Sequence, residues 1–421
     1  MRFSVKDDGN WRAFNHRNYR ILFRANALSN TGTWVQRIAQ SWLILQLTHN
    51  GTYLGIVSAL QIAPFLLISL HGGALADRLN KRLVLVVTNI AGSLTALTLG
   101  LLIVTHHIQL WHVLVLAFVL GVIDSIDKPV RQSFASELVG KKDLLNAISL
   151  NSANFNMARL VGPAASGLLI AAFGTGPAFI INAISYLPVI YATTRIRESE
   201  LYRGAPAKGP MNIKQGLHYV QARPDILVTM VVGFFMATFS MNFEIFNALI
   251  ATKVFNKGVA AYGFLGTILA IGSLSSALLS PRMEKYRSTR FVILGSICFG
   301  IAIFVCALMP TYLAYSIALP VAGAIALIIM ISSNSVSQIN TDHIIRGRVM
   351  GIYQLVLMAG TPISSPAIGW FSEHFGVRQT MAGCATITIL ASTVIWIIFK
   401  DKVAVPTDIS VAAVLKNKEN P

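Results

Sequence analysis

Arg37, Asp124, Arg159 and Glu244 each fall inside a long apolar run of this 421-residue chain. Even on the lenient insertion scale a charge at the centre of a bilayer costs about 2.5–3.5 kcal/mol, so side chains placed like this face water, a ligand or a counter-charge. Their neighbours are patterned. Asn26, Asn30, Arg37 and Ser41 recur at intervals of four, seven and four, with Thr33 and Trp34 between them. Ser152, Asn156, Arg159 and Pro163 recur at four, three and four, and Ser240, Glu244 and Asn247 at four and three. Each spacing lines its residues along one side of a 3.6-residue helix. Three apolar helices with one polar stripe apiece are what a shared aqueous pathway requires. Asn30, Trp34, Arg37, Ser41, Asn156, Arg159, Ser240 and Asn247 are therefore the expected lining of a substrate cavity.

The residue types narrow the chemistry. Arg37 and Arg159 suit an anionic substrate group, or else a structural role in capping carbonyls or pairing with a buried acid. Glu244 is the carboxylate nearest mid-membrane in the second half, a setting that suits the uptake and release of a proton. Its rival reading is a neutral, hydrogen-bonded structural side chain. Asp124 lies one turn before Asp127 near a span end, where a gating charge network fits better than proton carriage. No catalytic residue is expected, because the chain has no Walker A pattern, no His-Glu-x-x-His and no Gly-x-Ser-x-Gly. An ion gradient is left as the driving force. No metal or cofactor is expected either: His106 and His107 fall at a turn, and Cys298, Cys306 and Cys384 lie within apolar runs as core residues, without paired spacing.

A membrane must position these residues. The chain is 54% hydrophobic and 12% charged, with a mean hydropathy of +0.62. Apolar runs lie near 20–47, 53–75, 83–105, 110–130, 145–173, 177–194, 224–252, 261–280, 290–309, 311–337, 347–372 and 377–399. Backbone amides in hydrocarbon have to be satisfied within their own segment, so these runs predict helices: an all-α membrane protein of 12 transmembrane helices. The first run comes after a polar stretch without a small-residue cleavage site, and a removable signal peptide is not expected. The net charge of +17 would suit nucleic acid. If the spans alternate, however, most of the 34 Lys and Arg gather on the side of both termini, which the positive-inside rule makes the cytosol. The expected partner is the bilayer, and no nucleic acid.

The longest polar interruption, 195–223, predicts a cytoplasmic linker between six-helix bundles at 1–194 and 224–399, with a tail at 400–421. Span 5 ends "GPAASGLLIAAFG" and span 11 ends "SPAIGWFSEHFG", with proline, glycine and a Phe-Gly exit recurring. "ALADRLNKR" has a fainter echo in "RMEKYRSTR". Two diverged copies of one six-helix unit account for this.

Six plus six spans, the central linker and the stretch "GGALADRLNKR" resemble the major facilitator superfamily over essentially the whole chain. The resemblance covers its loop signature after span 2: Gly73, Leu75, Ala76, Asp77, Arg78, Lys81 and Arg82. Asn80 stands where the family usually has glycine, a change that a left-handed turn tolerates. The resemblance implies a cytosolic gate. Asp77 would face the N-terminus of span 11 near Gly347, favoured by the helix dipole, and Lys81 or Arg82 would reach Asp127. "NYRILFRANALSNTGTWVQRIAQSWLILQLT" looks like the bacterial exporter branch that includes enterobactin and macrolide efflux proteins. "ARLVGPAASG" resembles the span 5 motif of antiporters, with Ala158 and Ser166 replacing glycines; Pro163 would kink the helix, and Gly162 and Gly167 would let it seal against span 8. One family element is missing, since Ala117 stands where drug exporters often carry an arginine four residues before Gly121.

The expectation is a secondary active transporter of the bacterial inner membrane, with both termini cytoplasmic. It would be a monomer exporting a small amphipathic or apolar substrate in exchange for protons, by alternating access. Importing symport or lysolipid flipping is the alternative in the same class. A non-transporting receptor or scaffold is the alternative in another.

Overall fold

The computed structural model describes residues 11–78, 80–202, 213–342 and 345–403, with the side chains of 69–79, 213–214 and 401–403 left aside. All regular secondary structure among the described residues is helical, without strands. In chain order the helices are α1 (Arg17–Thr48), α2 (Gly51–Arg78), α3 (Lys81–Val104), α4 (Leu110–Phe173), α5 (Thr175–Thr194), α6 (Ile213–Ala222), α7 (Pro224–Phe235), α8 (Phe243–Leu249), α9 (Val259–Leu279), α10 (Thr289–Leu308), α11 (Tyr312–Ile339), α12 (Arg346–Ala359), α13 (Thr361–Phe375) and α14 (Val377–Val403).

Nine stretches among the described residues are long and apolar enough to cross a membrane. The count falls short of twelve for physical reasons. α4 runs for 64 residues, roughly three bilayer thicknesses at 1.5 Å per residue, and breaks at Gly140 (φ 70°, ψ 175°), so its limbs are spans 4 and 5. α1 is diluted by its own polar stripe. Span 11 is divided at Gly360 into α12 and α13. Twelve membrane helices result. Leu67, Leu278, Ile363 and Ile397 are exposed on them, a surface for which lipid is the matching solvent.

Helix starts reflect local chemistry. Asn80 is not left-handed as expected but extended (φ −66°, ψ 101°), and its side chain caps α3 by accepting from the Leu83 N–H at 3.3 Å. Ser288 and Thr311 cap α10 and α11 in the same way. The repeated Phe-Gly exits are structural equivalents: Gly174 and Gly376 both turn with positive φ, 80° and 93°.

The chain forms two compact units. The first comprises 1–49, 60–209 and 257–267, with a core that includes Tyr19, Leu22, Phe134, Leu138 and Val189. The second comprises 50–59, 210–256 and 268–421, with a core that includes Tyr219, Ile226, Met230, Val349 and Tyr353. The end of the linker region is thus the short helix α6, which buries Tyr219 and Val220 in the second unit. Cys306 and Cys384 are buried as expected, whereas Cys298 is exposed on α10.

Candidate functional site

Spans 1 and 5 meet at Trp34. A Cβ on Gly162 would fall 2.4 Å from the Trp34 Cβ, so only glycine lets the helices approach this closely. Ser166, one turn on, donates to the Val35 carbonyl at 2.8 Å. Beside this seam the Trp34 ring attracts two cations, with the guanidinium carbons of Arg37 and Arg159 at 5.0 Å and 5.9 Å from its centroid. Phe155 meets the ring edge-on at 5.8 Å. Arg37 is exposed, and Asn30, Trp34, Asn156 and Arg159 are half-buried. Ser41 departs from the expected lining because it is buried, with a partner of its own.

Beside Pro163 a hydroxyl is inserted from α9. Thr267 Oγ1 donates to the Leu160 carbonyl at 2.8 Å and accepts from the Ala164 N–H at 3.1 Å, which places it between two groups that an unbroken helix would join directly. Pro163 and Gly167 pack against 260–266 of α9. Behind the Trp34 seam, buried Asn182 donates to Gln36 at 2.6 Å, and Gln61 donates to buried Gln40 at 3.1 Å. Gln36 and Gln40 were not anticipated, although two amides one turn apart in an apolar run are the signal of a second polar face.

Span 7 is discontinuous. α7 gives way to a π-turn at Met236–Ser240, the chain leaves the helix at Met241 and Asn242, and α8 ends in another π-turn, Ile250–Val254. Met241 and Asn242 lie between Ser240 and Glu244, so the helical spacing that would put Ser240 on one face with Glu244 and Asn247 does not run through the break. Only Glu244 of the three is exposed, in the first turn of α8. Ser240 and Asn247 are corrected from lining to packing residues. Ser240 is bonded to Thr388 at 2.7 Å and Asn247 accepts from Tyr315 at 2.8 Å, both fully within the core. Asn242 bridges the break, donating to the Thr238 carbonyl at 2.8 Å and accepting from Ser365 at 3.1 Å.

At the predicted cytosolic end, the side chains of Gly73, Asp77 and Arg78 lie outside the described residues. Lys81 pairs with Glu137 at 2.6 Å instead of reaching Asp127. Arg82 caps α5, donating to the Thr193 carbonyl at 3.0 Å and to that of Thr194, and pairs with Glu198 at 3.3 Å. Asp127 is already taken: Arg131 binds it through Nε at 2.8 Å, Thr88 donates to it at 2.7 Å, and Arg131 continues to Asn26 at 2.7 Å. Asp124 pairs with Lys128 at 2.8 Å. Arg131 was missed because, at a span end, it resembles any cation obeying the positive-inside rule. In the second unit Arg287 plays the capping part, donating to the Ser280 carbonyl at 3.0 Å. Just ahead of α7, the hydrogen bond to Asp225 holds Arg223 more firmly protonated than a free arginine.

Twelve membrane helices with polar side chains inserted at breaks and kinks define a polytopic transporter. The chain belongs to the transmembrane secretion effector family of the major facilitator type, whose profile matches residues 8–417. It is 25% identical over 382 residues to the staphyloferrin A transporter of Staphylococcus aureus, covering 88% of this chain and 94% of that one. It is 26% identical over 390 residues to the multidrug efflux pump Tap of Mycolicibacterium fortuitum, covering 89% and 93%. A POT family transporter crystallised with a thioalcohol-conjugated peptide has the same fold, with a TM-score of 0.77 at 11% identity over 93% of this chain and 98% of the other.

Proposed function

We propose that the chain exports a small amphipathic molecule across a bacterial cytoplasmic membrane in exchange for protons, with both termini in the cytosol. The position of Glu244 carries this reading: it is a carboxylate exposed just past the break of a span, while Ser240, Asn242 and Asn247 around it are buried. A discontinuous helix is a recurrent place for coupling-ion sites in secondary transporters. Protonation there changes one full charge inside the membrane, which is enough to bias a conformational equilibrium. A relative named as an efflux pump supports outward transport.

The test uses purified protein in proteoliposomes loaded with a pH-sensitive dye and a panel of fluorescent amphiphiles. Downhill movement of a panel member is expected to drive counter-movement of protons. Glu244→Gln is expected to keep substrate exchange and lose the proton signal. An unchanged proton signal in that variant removes Glu244 as carrier, and failure of wild type to move any panel member overturns the export reading.

A further inference from the structure

Arg37 and Arg159 are two charges that no described carboxylate of the first unit balances. Its described carboxylates are engaged elsewhere: Asp124 by Lys128, Asp127 by Arg131, Glu137 by Lys81, Asp143 by Arg12 and His16, Glu198 by Arg82 and Glu200 by Arg197. Nor do the two arginines cap carbonyls. Arg82 and Arg287 show what such caps look like in this protein, and among the described residues neither Arg37 nor Arg159 makes one. What each does contact is the Trp34 ring, whose quadrupole attracts a cation without neutralising it. Two like charges beside one ring repel each other, more strongly in a membrane than in water. The Gly162 and Ser166 contacts nevertheless fix spans 1 and 5 so that both stay there.

We propose that Arg37 and Arg159 together form a dianion site, and that the transported molecule carries two acidic oxyanion groups attached to a flat apolar part that meets Trp34 and Phe155. A planar guanidinium offers paired N–H donors that match a carboxylate or a phosphate. Two of them beside one aromatic ring suit a molecule with acids at two points and a hydrophobic face next to them. This inference rests on the reading that the exposed side of Arg37 meets the transport route, and it sharpens the substrate from amphipathic to diacidic.

The experiment uses the purified full chain with three matched probes: phthalate, its monomethyl ester and its dimethyl ester. Binding is read from the shift in thermal unfolding and from quenching of tryptophan fluorescence. Affinity is expected to fall about tenfold with each esterification, the scale of one lost charge-assisted contact. Arg37→Gln and Arg159→Gln should each flatten one of the two steps, and Lys at either position should restore part of it. Wild-type binding of the dimethyl ester as tight as that of phthalate overturns the proposal, as does no binding by any of the three at millimolar concentration. So does discrimination that survives in the Arg37→Gln/Arg159→Gln pair. The wild-type comparison needs no variant to fold. A phosphate-bearing analogue of phthalate separates carboxylate from phosphate preference. Proton-driven export of a neutral amphiphile alongside lost discrimination would sink the dianion site alone, whereas discrimination without any transport would sink the export reading alone.

Discussion

The backbone of Gly162 is held so close to Trp34 that even a methyl group has no room. In Gly162→Ala the new Cβ would sit against the Trp34 Cβ, at 2.4 Å in the present geometry, and forced overpacking of this kind costs about 1–3 kcal/mol. The melting temperature of the purified protein should drop accordingly. Trp34→Ala should not rescue it, because alanine keeps the offending Cβ; a full rescue would show that the ring is the obstacle. The Lys81–Glu137 pair is a second residue-scale case. Its side chains are 14% and 18% exposed, between the surface regime near zero and the buried regime of several kcal/mol. Lys81→Gln and Glu137→Gln should each cost about 1–2 kcal/mol, and the double variant should cost less than their sum, as measured by denaturation. Why Lys81 went unassigned to Glu137 is instructive: the two are far apart in sequence, and nothing in a run of cations says which acid each will find. The inserted arginines, by contrast, were legible, because a charge in an apolar run has few bland explanations.

Among the elements, runs of twenty apolar residues announced themselves, as did the Phe-Gly exits. The interruptions did not. Span 7 reads as one amphipathic helix because Ser240, Glu244 and Asn247 keep helical spacing, and the break at Met241 and Asn242 that parts Ser240 from the other two is held by contacts such as that of Ser365 with Asn242, which periodicity does not encode. Thr267 is the same kind of device. Its hydroxyl supplies both an acceptor for Ala164 and a donor for Leu160, so these two groups beside Pro163 are satisfied. In Thr267→Val the shape stays and the hydroxyl goes, which leaves the Leu160 carbonyl and Ala164 amide to close on each other and straighten the turn. A loss of about 1–2 kcal/mol in stability is expected, together with slower amide exchange at Ala164 as its direct helical bond forms. Faster exchange there would show that the hydroxyl protects the turn instead of opening it.

Across the whole molecule, α2 and α9 are the helices that change unit along their length: Asn50–Ala59 clusters with the second unit, and Lys257–Thr267 with the first. The start of α2 is held by two side chains: Asn50 accepts the Thr52 N–H at 2.8 Å, and Glu373 reaches in from α13. Glu373 accepts the Gly51 N–H and the ammonium of Lys253, so a carboxylate satisfies an orphan donor at a helix N-terminus while its own charge is met by a lysine. The two contributions separate by substitution. Glu373→Gln keeps an acceptor for Gly51 and loses the pairing with Lys253, whereas Glu373→Ala loses both. If the carboxylate anchors the helix end, exchange of the Gly51 amide should rise modestly in the Gln variant and by about tenfold or more in the Ala variant, while amides in the middle of α3 stay protected. Equal exchange in wild type and Glu373→Ala would mean that the Asn50 cap and the surrounding packing hold the segment, and that the charge pair is a bystander.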